Sequence, residues 1–144
     1  MFIDRPKHVR LLNEVMRNYN HRLQKRLNQH GIYRGQHFVL FYLLKNPGAT
    51  PSAIASEFGI SKSSIGSSIV RMQKNGLIVK VVDERDARRY CLFVTDKGKT
   101  VANACAIEVE AVQNCLFSSF TENELEQANS IFKRMLESLN ERGK

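Results

Sequence analysis

Residues 77–95 constrain the fold most. Two β-prone runs, Leu77-Ile78-Val79-Lys80-Val81-Val82 and Tyr90-Cys91-Leu92-Phe93-Val94-Thr95, enclose the charged stretch Asp83-Glu84-Arg85-Asp86-Ala87-Arg88-Arg89. Runs of β-branched and aromatic residues on either side of a polar segment predict a β-hairpin with the charges at its tip. Between Glu84 and Arg88 there is no glycine or proline, so the connection should be longer than a two-residue turn. Three arginines on one tip repel each other unless something anionic meets them. Asp83 is placed to brace Arg85 locally, which leaves Arg88 and Arg89 to reach outward.

Immediately upstream, Thr50-Pro51 offers an N-cap followed by a proline at the first helical position. A short helix over Ser52–Phe58 then closes at Gly59, and Gly59-Ile60-Ser61 forms a turn. Ser61 caps a longer helix that runs to about Asn75 and stops at Asn75-Gly76. Short helix, glycine-bearing turn and second helix make a helix-turn-helix. A basic hairpin beside it gives the layout of a winged helix, and the expected partner is double-stranded DNA.

At ~100° per residue, Ile65, Ile69 and Met72 fall on one face of the second helix and should enter the core. Ser63, Ser67, Val70 and Lys74 fall opposite, flanked by Ser64, Gly66 and Arg71. Small side chains let a helix sit deep in a major groove, with hydroxyls and N-terminal amides meeting phosphates. Val70 suits a thymine methyl, while Lys62 and Arg71 suit either phosphate or guanine. The bland reading is a solvated, serine-rich face. Only Arg71 and Gln73 can make a bidentate base contact, so DNA shape and half-site spacing should carry much of any specificity.

The charge distribution points the same way. The net charge is +8, and residues 1–33, 34–95 and 96–144 carry +5, +5 and −2. The positive field thus lies over the first two thirds of the chain. A length of 144 residues, with 42% apolar and 25% charged residues, suits one globular domain. No apolar run approaches the ~20 residues that span a bilayer, and Met1–Pro6 lacks the apolar core of a signal peptide. Membrane partners are therefore not expected. Three cysteines without CxxC spacing, Cys91, Cys105 and Cys115, suggest reduced thiols in the cytoplasm. His8, His21, His30 and His37 share no metal-binding spacing. No nucleophile–base pair or phosphate-cradling glycine loop appears, so neither a cofactor nor catalysis is expected.

The flanking segments read as helices. From near Pro6 to about His30, Val9, Leu12, Val15/Met16, Tyr19, Leu23 and Leu27 form one apolar stripe ending at Gly31. Gln36–Leu44 is apolar nearly all round and should be buried at the centre. Thr95-Asp96-Lys97-Gly98 opens a long helix through Leu116, and Thr121 with Glu124 is a capping box. In the last helix Leu125, Ala128, Phe132, Met135 and Leu139 form a heptad-like seam that needs a partner. The fold class is mainly α with a small β-hairpin wing (α+β).

These residues together resemble the MarR family of winged-helix regulators. The family's DxRxxR wing signature stands as Asp83-x-Arg85-x-x-Arg88, and its LTxxG-like helix start as Val94-Thr95-Asp96-Lys97-Gly98. The serine-rich helix leading into Asn75-Gly76-Leu77-Ile78 is similar to the family's recognition helix and exit. The likeness covers nearly the whole chain.

The resemblance implies a single domain over 1–144, with a winged helix-turn-helix lobe at 33–95 and dimerisation helices at 1–32 and 96–144. Leu12, Met16, Leu125, Phe132, Met135 and Leu139 would then lie at the interface of a homodimer, triangular in outline. It also implies that Arg85 enters the minor groove, that Asp83 holds the wing's shape, and that Arg88 and Arg89 serve the wing or the DNA backbone. The implied activity is that of a repressor on a palindromic operator. Many such regulators release DNA when a small anionic or phenolic effector enters a cleft beside the DNA-reading lobe. Tyr19, His37, Phe38 and Tyr42 are the candidates here, with ordinary core aromatics as the alternative. Other relatives sense oxidants through a cysteine near the N-terminal helices, where this chain has none. A low-specificity architectural DNA binder and a cysteine-based redox sensor are the alternative functions.

Overall fold

The computed structural model describes residues 6–33 and 35–141. The opening residues 1–5, most of the segment expected to lack a signal peptide, lie outside it. The chain divides into two compact units, Met1–Val109 and Glu110–Lys144.

The first unit holds α1 (Lys7–Asn28), α2 (Gln36–Lys45), α3 (Pro51–Phe58), α4 (Lys62–Lys74), β1 (Ile78–Val82), β2 (Tyr90–Val94) and the start of α5 (Asp96–Phe117). Local chemistry sets the boundaries. The Thr50 hydroxyl accepts the Ala53 N–H at 3.2 Å at the head of α3, and Ser61 Oγ accepts the Ser64 N–H at 3.2 Å at the head of α4. At the foot of α4, the N–H groups of Gly76 and Leu77 donate to the carbonyls of Gln73 and Met72 at 2.9 and 3.0 Å. This Schellman closure needs a left-handed residue, and Gly76 supplies it with φ 71°.

The core gathers where these helices meet the sheet. Leu27, Ile32, Leu40, Leu43, Ile54, Ile65, Ile69, Met72, Ile78, Leu92 and Cys105 are all fully buried, each aliphatic side chain contributing roughly 1.5–3 kcal/mol. Ile65, Ile69 and Met72 thus face inward, as their spacing requires. Along α1, Leu23 and Leu27 are buried, whereas Leu12, Val15 and Met16 of the same stripe are exposed. One expectation needs correction: α2 is not buried all round, since Val39, Leu40 and Leu43 are buried but Phe38 is 52% exposed, because that flank opens onto a cavity.

β1 and β2 pair antiparallel, from Ile78 opposite Val94 to Val82 opposite Tyr90. Ala49 adds a single-residue bridge to Leu92, with Leu92 N–H donating to Ala49 O at 3.0 Å. Nothing in the sequence around Ala49 had suggested a third sheet member. Elsewhere in this unit Glu108 receives both Arg26 and His30 at 3.2 Å.

In the second unit, α5 ends at Phe117, whose ring meets Phe120 at 6.2 Å between centroids. The capping box then opens α6 (Glu122–Glu141). Thr121 N–H donates to Glu124 Oε2 at 2.8 Å and Glu124 N–H donates to Thr121 Oγ1 at 3.3 Å. The Thr121 N–H, joined by the Thr121 hydroxyl donating to the same Oε2 at 3.1 Å, holds the pKa of the Glu124 carboxyl below its ordinary value. Along α6, Leu125 and Ala128 are half-buried, while Phe132, Met135 and Leu139 are exposed.

Candidate nucleic-acid interface

Two exposed surfaces of the first unit are adjacent in sequence: the outer face of α4 and the tip of the wing. On α4, Lys62, Ser63, Ser64, Ser67, Val70, Arg71 and Lys74 are all exposed. Val70 is 64% open to solvent, an apolar side chain standing on a polar face. The hydroxyls are not idle. Ser67 Oγ donates to Ser63 O at 3.2 Å, and Ser61 Oγ donates to Ser64 Oγ at 2.9 Å. Ser67 must rotate its proton outward before it can donate to a phosphate. Gln73, credited with base-reading capacity, is half-buried, which leaves Arg71 as the more accessible of the two bidentate donors.

The wing tip spans Asp83 to Arg89, every residue exposed, and is longer than a two-residue turn. Its shape comes from two aspartates. Asp83 Oδ1 accepts the N–H of Arg85 at 2.7 Å and Asp86 Oδ1 accepts that of Arg88 at 3.0 Å. Asp83 N–H donates to Arg89 O, and Arg89 N–H to Asp86 O, both at 2.9 Å. The two bonds to the aspartate carboxylates are side chain-to-backbone turns of the kind Asp favours two residues upstream of its partner. Asp83 therefore braces the Arg85 backbone and not its guanidinium. Among the described residues the ion pairs are Arg26–Glu108, His30–Glu108 and Lys99–Asp96, so Arg85, Arg88 and Arg89 carry unpaired charge. Sequence reasoning missed Asp86, although its spacing to Arg88 repeats that of Asp83 to Arg85. It also missed Lys80, whose Nζ lies 4.4 Å from the centroid of the Tyr90 ring.

A cavity of about 640 Å³ lies between the start of α2, the end of α3 and the flank of α4. Phe38, Phe58 and Ile60 line it on one side, and Ser64, Ser67 and Arg71 on the other. Of the four residues proposed for an effector pocket, Phe38 lines this cavity; Tyr19, His37 and Tyr42 do not. Tyr42 meets the Phe58 ring edge-on at 5.9 Å. His37 is buried, tilted on Phe38 at 4.0 Å and edge-on to Phe41 at 5.8 Å. Neither of its ring nitrogens has a hydrogen-bond partner, and burial pushes its pKa down to about 4. The thiol of Cys105 is pushed up to about 11, first by burial and then by the nearby Glu108 carboxylate. Cys91 is half-buried and Cys115 exposed. Among the described residues no helix is long and apolar enough to cross a membrane.

Residues 30–89, from just after α1 to the wing tip, match the model of the MarR family. The HTH-type transcriptional regulator BilQ of Clostridioides difficile (strain CD3) is 29% identical over 91 residues, 63% of this chain. That stretch spans 62% of BilQ's own length. The crystal structure of MarR aligns with a TM-score of 0.78 and 26% identity, covering 99% of this chain and 97% of that one. MepR of S. aureus, solved in complex with DNA, aligns with a TM-score of 0.82 at 23% identity, covering 93% and 99%. Helix-turn-helix, wing and family match thus fall on the same residues, 30–89, which are similar to the MarR family, and over nearly its whole length the chain shares the fold of MarR.

Proposed function

We propose that the protein is a transcriptional regulator that binds double-stranded DNA, α4 entering a major groove and the wing following the adjacent minor groove. The observation that carries this reading is the set of three wing arginines without a carboxylate partner, held on an ordered tip beside the exposed Ser, Val and Lys face of α4. Unpaired guanidinium groups on a short loop are stabilised by phosphates or by the negative potential of a narrow groove. Arg85 is the groove-entering residue in this reading, and Arg88, Arg89, Lys62 and Lys74 serve the backbone. MepR crystallised on DNA supports it by analogy of fold.

In the same reading the protein acts as a homodimeric repressor in the cytoplasm, by occupying a palindromic operator and not by catalysis. Exposed Leu12 and Met16 on α1, and exposed Phe132, Met135 and Leu139 with half-buried Leu125 on α6, are the surfaces it assigns to dimerisation. A small anionic or phenolic effector is assigned to the cavity beside α4, where Phe38 and Phe58 offer ring faces and Arg71 a cation. Because Arg71 also borders the DNA-facing side of α4, an anion held there competes with phosphate for it.

The test is selection of duplex fragments by the purified protein at near-physiological salt, read by sequencing. A near-palindrome with half-sites about one helical turn apart supports a sequence-specific dimer. Recovery of A·T-rich DNA without a motif replaces it with a low-specificity architectural binder. Recovery of no DNA overturns the reading.

A further inference from the structure

Three consecutive carbonyls at the exit of α4 are each taken up by the first residues leading into α5. Lys97 Nζ donates to Asn75 O at 2.7 Å, Thr95 Oγ1 donates to Gly76 O at 2.5 Å, and Thr95 N–H donates to Leu77 O at 3.0 Å. The same Thr95 hydroxyl accepts the Gly98 N–H at 2.9 Å and so caps α5. Gly98 sits where the Leu77 backbone passes: a Cβ added there would overlap Leu77 O and Val94 Cγ1.

These bonds are not needed to end α4. Its Schellman closure onto Met72 and Gln73 already does that. The hydrogen bonds from Lys97 and from the Thr95 hydroxyl to the α4 exit are solvent-exposed, so water would satisfy those carbonyls equally well. What the cross-element bonds add is direction. They tie the foot of α4 and the start of β1 to the end of β2 and the head of α5, with an ammonium placed on the negative end of the α4 dipole. The foot of the recognition helix and the root of the wing meet at one joint.

We infer that Thr95 and Lys97 are positioning residues that fix the angle between α4 and the wing, so that both reach their grooves at once. This rests on the DNA-binding reading above. A loosened joint leaves every phosphate-binding side chain in place, yet prevents helix and wing from engaging one site together. Specific binding should suffer and non-specific binding should not.

The experiment uses the full chain carrying Lys97→Met, Thr95→Val or Thr95→Ser, at a temperature where circular dichroism shows each folded. Binding is measured across a salt series to the duplex best selected by the wild-type protein and to a scrambled duplex of equal composition. The preference for the selected duplex should fall about tenfold in Lys97→Met and Thr95→Val, the size of one lost base contact. Thr95→Ser should restore it, and the salt dependence on the scrambled duplex should not change. Undiminished preference in Lys97→Met and Thr95→Val overturns the inference. So does a salt slope reduced by about one with preference retained, which would make Lys97 a phosphate contact. If Thr95→Val does not fold, Lys97→Met decides, since its side chain is exposed. Wild-type protein that binds neither duplex overturns the DNA reading itself, and the positioning role with it. Wild-type binding with unaffected variants overturns the positioning role alone.

Discussion

The carboxylate of Asp83 holds the main-chain N–H of Arg85 at 2.7 Å, leaving the guanidinium free for a partner outside the chain. The two residues therefore have separable roles. Arg85→Ala should cost ~1–3 kcal/mol of affinity for a selected duplex. Asp83→Ala should weaken binding by disordering the tip, and Asp83→Asn, which keeps an acceptor oxygen, should recover most of the loss. Fluorescence anisotropy with the selected duplex measures all three. Unchanged affinity in Arg85→Ala would remove the wing from the interface.

The seam on α6 makes a prediction about assembly. Leu139 is 73% exposed and Phe132 45%, large apolar surfaces that water solvates poorly. Phe132→Glu or Leu139→Glu should yield folded monomers that fail to bind a palindrome. Sedimentation velocity reads the mass directly, and intact dimers in both variants would place the interface elsewhere.

His37 sets a pH dependence. Its pKa in the folded chain is about 4, below the ordinary value of ~6.5, because burial disfavours the imidazolium. Between those two pH values the unfolded chain takes up a proton that the folded chain refuses. Stability is therefore unaffected by this group above pH ~6.5 and falls as the pH drops towards ~4, by roughly 3 kcal/mol in all. His37→Leu should remove that part of the loss. Urea unfolding of both proteins at several pH values tests it, and parallel curves would show that His37 gains a partner or water in solution.

Gly98 should tolerate no side chain. The atom that a Cβ would overlap is the Leu77 carbonyl oxygen, which belongs to the backbone and accepts the Thr95 N–H. Gly98→Ala should destabilise the fold by ~1–3 kcal/mol, the range of an overpacked core and beyond the ~0.5 kcal/mol of an ordinary surface substitution, and so lower the melting temperature. An unchanged melting temperature would mean that β1 and α5 part easily.

Much of this architecture was legible because its determinants are local. Thr50, Ser61 and Thr121 announce helix starts within three residues of the N–H groups they bind, and Gly59 and Gly76 mark stops by their own backbone freedom. The inward face of α4 followed from helical periodicity alone, since Ile65, Ile69 and Met72 are each at most 1% exposed. What stayed hidden depends on segments far apart in the chain. The Lys97–Asn75 bond joins residues 22 positions apart, and the Ala49–Leu92 bridge consists of one residue without strand character around it. The cavity beside α4 depends on how α2 and α3 pack against that helix, a long-range relation, and of Tyr19, His37, Phe38 and Tyr42 it is Phe38 that lines it. Lys80 was missed for another reason: on a two-stranded ribbon its cation meets Tyr90 diagonally, a relation that becomes visible only once the register is known.

The wing tip has one more consequence. Its four ordering bonds all join residues between Asp83 and Arg89, so the loop carries its own geometry and borrows none from the strands beneath it. Two residues added to each strand would carry the arginines ~7 Å further out while every side chain kept its face. Grip and reach are thus independent variables in this wing, and a lineage can lengthen the arm without redesigning the hand.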